Sequence, residues 1–131
     1  MKAHILTPVG PVFDGEVEGV QMPGVNGGFE VLKGHAPLVS LLDIGKLVVK
    51  TADHEQLVFA VSGGFTEISE DVVTILAEEA IPSDKIDREA EERQREEAEA
   101  ELAKHLLDTE GHKAAEIELK KIKNRIKVSR N

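Results

Sequence analysis

The chain has no cysteine, tryptophan or tyrosine, and only four phenylalanines among 131 residues. Missing thiols exclude disulfides, thiolate catalysis and cysteine-ligated zinc. So few aromatic rings leave little with which to stack nucleic-acid bases. Cations are scarce as well: 16 Lys and Arg stand against 25 Asp and Glu, a net charge of −9. Neutralising phosphates needs the opposite balance, so nucleic acid is not an expected partner. No apolar run approaches the roughly 20 residues of a membrane span, and MKAHILTPVG lacks a signal-peptide core. The expectation is a soluble, enclosed protein with no direct membrane insertion, long enough for one small domain and an appendage.

The charge that is present is unevenly spread. Residues 1–83 hold four basic and twelve acidic groups, and residues 84–111 hold five basic and eleven acidic. Residues 112–131 reverse the sign, with seven basic groups and two acidic. This asymmetry points to a partner for the tail, or to pairing between the last two segments.

From Met1 to Ala80 the periodicity is that of strands. His4–Thr7 is a short run stopped by Pro8 and Gly10, and Gly15–Met22 alternates polar with apolar residues. Leu47–Val49 leads into a turn at Asp53-His54, and Leu57–Val61 returns as its partner. Ser62-Gly63-Gly64 reads as a break, bulge or tight crossing, after which Phe65–Ile68 resumes and Glu70-Asp71 turns into Val72–Ala77. Many short strands separated by turn signals predict an antiparallel sandwich or flattened barrel.

At Pro82 the pattern changes. Ser83 or Asp84 can cap a helix, acidic residues crowd the first turns, and neither Gly nor Pro occurs from Asp84 to Leu107. Ala90, Ala98, Leu102 and Leu106 make a narrow stripe, and Glu97 and Glu101 can pair with Arg93 and Lys104. Asp108–Gly111 reads as a turn, followed by a second helix carrying Ala115, Leu119, Ile122 and Ile126. The pair predicts an antiparallel helical hairpin with a slight interface. Glu91, Glu92, Glu96 and Glu97 read as a solvated face.

The turn chemistry is densest between Gly24 and Leu42, where four glycines, His35 and Pro37 interrupt short apolar runs. This stretch predicts a shaped contact surface. It is not a phosphate loop, since no Gly-Lys-Ser/Thr ending follows. His35 has no second histidine or carboxylate at ligand spacing, so it reads as a packed or hydrogen-bonded structural residue or an interface residue. His4, His54, His105 and His112 are scattered. Ser62-Gly63-Gly64 lacks the context of a nucleophile elbow. No catalytic, metal or cofactor site is expected, and a small β-sandwich enzyme is the weakest of the readings.

Four blocks stand in an order that resembles one family: Val12–Val17, Gly34-His35-Ala36-Pro37-Leu38, Ser62–Phe65 and Val73–Ala77. The chain resembles, over essentially its whole length, the epsilon subunits of F-type ATP synthases, whose mitochondrial counterpart is called delta. The resemblance implies an α+β chain: an antiparallel β-sandwich of about ten short strands over 1–83, then a two-helix hairpin over 84–131. It further implies a non-catalytic subunit of the rotating central stalk that couples proton flow to ATP synthesis. The sandwich would hold the gamma subunit and rest on the c-ring. The helices would inhibit ATP hydrolysis by reaching the alpha and beta subunits. The implied place is peripheral to an energy-transducing membrane, on the cytoplasmic face in a bacterium or the stromal face in a thylakoid.

Carried over by position, Asn26, Gly27, Gly28, Phe29 and Glu30 are the implied c-ring contact. His35, Ala36, Pro37 and Leu38 fall near gamma and the ring. Lys120, Lys121, Lys123, Arg125, Lys127 and Arg130 are the implied contacts to beta when the hairpin extends. Three positions depart from the family pattern: Glu30 for a usual glycine, Lys33 for a proline, and Ala90-Glu91 where nucleotide-binding members carry Arg-Ala after Ile86-Asp87. The lost cation predicts weak or absent ATP binding, against the alternative of a nucleotide-sensing hairpin that closes on ATP.

Overall fold

Alternating apolar residues between Lys2 and Pro82 build seven strands: β1 (Lys2–Thr7), β2 (Gly10–Gly24), β3 (Gly27–Leu32), β4 (Leu38–Thr51), β5 (Gln56–Ser69), β6 (Val72–Ala77) and β7 (Ala80–Pro82). The structure, a computed structural model, describes residues 1–105 and 109–129. Strand neighbours run β1-β6-β5-β4-β2-β3, with β7 beside β5. β1 also pairs with β2, so β1, β6, β5, β4 and β2 form a closed circuit, a flattened barrel. The expected class, a strand domain followed by two helices, is the class observed.

Two details differ from the expectation. The short strands merge: β2, β4 and β5 run 14 or 15 residues each, so about ten segments become seven strands. Gly63-Gly64 does not end β5, because glycine takes the angles (φ 100° and 150°) that bend a strand without breaking its ladder. Secondly, the sheet is not wholly antiparallel. β1 and β6 run parallel, from Lys2 opposite Val72 to Leu6 opposite Leu76, because β1 must close against both β2 and β6.

Alternation then sets which side chains turn inward. Ala3, Ile5, Val20, Val31, Leu47, Val49, Val61, Ile68, Val73 and Ile75 are buried almost completely. Each large one contributes about 1.5–3 kcal/mol relative to leaving it in water. Thr66 is buried among them, and its hydroxyl is satisfied by donating to the Thr74 carbonyl at 3.1 Å. The Glu70-Asp71 turn joins β5 to β6 with φ of 51° and 61°, positive at both central residues as the strand twist of a two-residue hairpin prefers.

The chain divides into two compact units, Met1–Pro82 and Ser83–Asn131. In the second, Ser83–Lys85 makes a single 3₁₀ turn, then α1 spans Arg88–Lys104 and α2 spans Thr109–Ser129. The cap of α1 is Asp87, not Ser83 or Asp84. The 3₁₀ turn holds those two, and Asp87, in extended conformation, accepts the Ala90 N–H at 3.1 Å. Thr109, Glu110 and Gly111, expected in a turn, are the first turn of α2, and Asp108 lies outside the described residues. A glycine costs a helix only about 1 kcal/mol, too little to end one that packs along its length.

The inward face of α1 is Glu91, Arg95, Ala98 and Leu102, continued by the capping His105, each half-buried. Of the expected stripe, Ala98 and Leu102 lie on this face, Ala90 is half-buried beside Glu91, and Leu106 lies outside the described residues. The steps of four and three are those of two helices supercoiling on each other, so a strict step of four drifts off the seam. α2 answers with Leu119, Ile122 and Ile126, all buried, and half-buried Ala115.

Gly64 is the strictest backbone constraint in the strand unit. A Cβ there would lie 2.2 Å from the Leu76 carbonyl oxygen, whereas at Gly28 the nearest atom would be 3.6 Å away. Gly64→Ala is expected to lower stability by roughly 2 kcal/mol or more, while Gly28→Ala should change it by less than about 0.5 kcal/mol. Urea unfolding followed by circular dichroism compares them; equal midpoints would mean that the crossing at Gly64 is not a constraint.

Candidate functional site

Between β2 and β3 the chain reverses through Val25-Asn26, and this tip carries the first group of expected contact residues. Asn26, Gly27 and Gly28 are exposed. The tip is fastened to β4, where the Val25 N–H donates to the Leu41 carbonyl at 3.1 Å. Phe29 is half-buried and packs on the core. Glu30 is held on the sheet: Gln21 Nε2 donates to its carboxylate at 3.1 Å and Lys50 Nζ at 3.2 Å. The Gln21 hydrogen bond, then that of Lys50, lowers the Glu30 pKa below the usual carboxylate value.

The second group lies in the passage from β3 to β4. The His35 N–H donates to Leu32, and its ring Nδ1–H donates to the Ala36 carbonyl at 2.7 Å. Since a carbonyl can only accept, this bond fixes the proton on Nδ1. The Gly34 N–H donates to Asp71 Oδ1 at 2.9 Å, which ties the passage to the β5–β6 turn. Ala36, Pro37 and Leu38 are exposed and His35 is half-buried. The first strand residues of β4 bring the two groups together, since Leu38 enters the strand four positions before Leu42, which faces Gly24.

Sequence reasoning missed an apolar row on the outer surface. Cross-strand register sets Leu41 opposite Phe65, Phe65 opposite Leu76, Leu76 opposite Leu6 and Leu6 opposite Pro11. Residues directly opposite point to the same face. Leu41 is 61% exposed, Leu76 45% and Leu6 38%, with Val39, Val25 and Val9 exposed nearby. The signal was present in the sequence. Leu41-Leu42, Ile75-Leu76 and Ile5-Leu6 each place two apolar residues side by side, so one of each pair must face outward. The neighbouring row is polar, with Glu67 opposite Thr74 and His4 3.0 Å from Asp14.

In the hairpin the expected cations divide into two kinds. Lys120, Lys123 and Lys127 are exposed, and Lys121 is half-buried. Arg125 is turned inward: its side chain is 8% exposed and its Nε donates to Glu91 Oε2 at 2.9 Å, with Glu118 3.9 Å away. Arg130 lies outside the described residues. Glu91, expected on a solvated face, is 14% exposed and belongs to the interface, because α1 must offer its partner helix whatever lies on the four-three seam. The remaining histidines stand beside carboxylates, His54 2.8 Å from Glu18 and His105 2.9 Å from Glu101. Among the described residues no cluster of His, Asp and Glu is arranged to hold a metal ion.

Lowering the pH through the carboxylate range protonates Glu30 and releases its two donors. A depressed folded-state pKa means stability present above the unfolded pKa and lost as pH falls through the folded one. Glu30→Gln is therefore expected to flatten the acid limb of the stability–pH curve and leave the neutral region nearly unchanged. An acid limb as steep as the parent's in urea titrations would show that Glu30 takes no part.

Residues 1–83 match the family model described as ATP synthase, delta/epsilon chain, beta-sandwich domain. The chain is 39% identical over 131 residues to an ATP synthase epsilon chain of Bacillus velezensis, covering 100% of this chain and 98% of that one. Among solved structures, a chain of the Euglena gracilis mitochondrial ATP synthase, resolved with its c-ring, superposes with a TM-score of 0.79 at 25% identity, covering 93% of this chain and 76% of that one. A chain from the central stalk and c-ring of the Tetrahymena thermophila enzyme shares the fold at 12% identity, with a TM-score of 0.64, covering 98% of this chain and 96% of that one.

Proposed function

This chain belongs to the delta/epsilon family of ATP synthase subunits, and we propose that its strand unit is the docking half, and its helical hairpin the brake, of a central-stalk rotor subunit. The reading rests above all on the outer apolar row from Leu41 through Phe65 and Leu76 to Leu6. Contiguous apolar surface held on a rigid sheet is what a stable protein partner covers, and a lone domain gains nothing by exposing it. Gamma is the partner assigned to this row and to the adjoining His35–Leu38 passage. The tip at Asn26–Gly28, uncharged and rich in backbone donors, suits the polar loops of a c-ring, with Phe29 and Glu30 behind it as support.

Held between shaft and ring, the subunit turns with both and performs no chemistry of its own. It passes rotation on and stays peripheral to the energy-transducing membrane, on its cytoplasmic face in a bacterium. The exposed Lys120, Lys123 and Lys127 of α2, with Lys121 and Arg130, are the groups that an acidic surface of beta would meet if the hairpin opened beside alpha and beta. A nucleotide-sensing hairpin fits less well. It needs a cation where Ala90 stands, and the exposed Glu89 next to it presents like charge to a polyphosphate.

Replacing Leu41 or Leu76 by Asp should weaken gamma binding by about tenfold or more, without unfolding an already exposed position. Titration calorimetry with purified gamma reads the change; unchanged affinity in both would move the docking face elsewhere. Removing residues 83–131 should leave gamma binding intact and raise ATP hydrolysis by the assembled enzyme. Identical hydrolysis rates with and without the helices would end the assignment of a brake.

A further inference from the structure

We propose that the buried ion pair between Glu91 and Arg125 is a latch: it closes the free end of the helical hairpin and decides whether α1 and α2 stay together. Glu91 lies in the first turn of α1, and Arg125 lies about one turn before the end of α2. At the opposite end the helices are joined by the chain itself, between His105 and Thr109. The hairpin is therefore held covalently at one end, and at the other by a 2.9 Å charge-assisted bond set beside the buried Ile126 and Val128 of α2.

The packing between those ends is graded. Near the connection α1 supplies Ala98 and Leu102, but toward the free end its half-buried positions are Arg95, Glu92, Glu91 and the small Ala90, and no α1 residue is fully buried. Arg95 adds little there. Its guanidinium reaches Glu92 at 3.0 Å, yet Nε is buried without an acceptor, and Glu99 is too far at 3.9 Å. At the free end, apolar burial on the α1 side is thus reduced to Ala90, and one well-formed ion pair stands beside it.

A buried pair of this kind has an asymmetric energy. Formed, it gains little over an apolar contact of the same size, because two charges have left water. Broken on one side, it strands a charge in the interface. Opening as a whole, by contrast, returns both groups to water together and costs far less. Such a contact is poor glue and a good switch, with two clean states and no half-open one.

The chain's lack of cysteine permits a direct test on the full-length protein. Spin labels on Glu89→Cys and Lys127→Cys, both exposed at the free end, report the separation of the helices. In the parent, short distances should dominate. Arg125→Met, which strands Glu91, should raise the ratio of long to short distances by roughly tenfold or more, and Glu91→Gln, which leaves Glu118 3.9 Å from Arg125, should raise it by less. The double variant Glu91→Leu with Arg125→Met, which restores a matched apolar contact, should return the distribution to short. Unchanged distributions in both single variants would overturn the latch. A double variant as open as the single ones would overturn it too, because the loss would then come from disturbed helices and not from the pair. The measurement needs no partner protein, so its outcome is separable from that of the proposed brake: latch variants that open the free chain but leave hydrolysis unchanged would count against the brake alone.

Discussion

The strand unit depends on β1 meeting two partners at once. Six residues, Lys2–Thr7, pair antiparallel with the first half of β2 and parallel with β6. Without that double pairing the sheet would end in two long open edges, whose unpaired N–H and C=O groups invite association with other chains. With it the circuit closes, and Ala3 and Ile5 become fully buried inside a short strand near the start of the chain. The requirement is one of backbone hydrogen bonding, and it reaches further than the strand itself. It fixes how β6 must lie, hence where β5 must bend, hence why Gly63-Gly64 stands where the bend falls.

Closure also fixes register, and register is what makes a surface. Side chains alternate with a period of two, so a slip of one residue anywhere in the circuit would exchange inside for outside. Leu41, Phe65, Leu76 and Leu6 come from four different strands, and only a settled register sets them in line. A face of this kind keeps its shape whether or not a partner is present, so binding has little conformational entropy to overcome. The tip at Asn26–Gly28 and the passage at His35–Leu38 share that rigidity through short backbone bonds to Leu41 and Asp71.

Periodicity exposed most of this architecture, since inward positions such as Val20, Val49, Val61 and Ile75 follow from alternation alone. What it missed has physical causes. A glycine pair reads as a break because glycine ends strands as readily as it bends them, and only the neighbouring strand decides which. Parallel pairing of β1 with β6 leaves no local mark, because it joins segments about seventy residues apart. The apolar row was hidden because two adjacent leucine-type residues do not say which of them faces out. Glu91 was misread for a related reason. A glutamate on a helix is usually solvated, and its burial depends on Arg125, thirty-four residues away. The helix cap moved to Asp87 because the 3₁₀ turn before it took the first two candidates.

The two units differ in what holds them, and that difference bears on what each can do. The strand unit buries large aliphatic side chains on one side of a closed ladder, so any partial opening exposes apolar area and unpairs backbone together. It opens as a whole or not at all. The hairpin closes over alanine, one leucine and charged groups on its α1 side, with aliphatic residues concentrated on α2. Separation leaves α1 with almost nothing apolar to hide, but leaves Leu119, Ile122 and Ile126 in need of cover. An opened hairpin is therefore not at rest in water. Its second helix carries an apolar stripe flanked by lysines, which fits a surface that is itself part apolar and part acidic. On the proposed reading, the asymmetry between the two helices would make opening a transfer from one partner to another. The energy difference between the two partners, far more than the strength of either contact, would then set how often that transfer occurs.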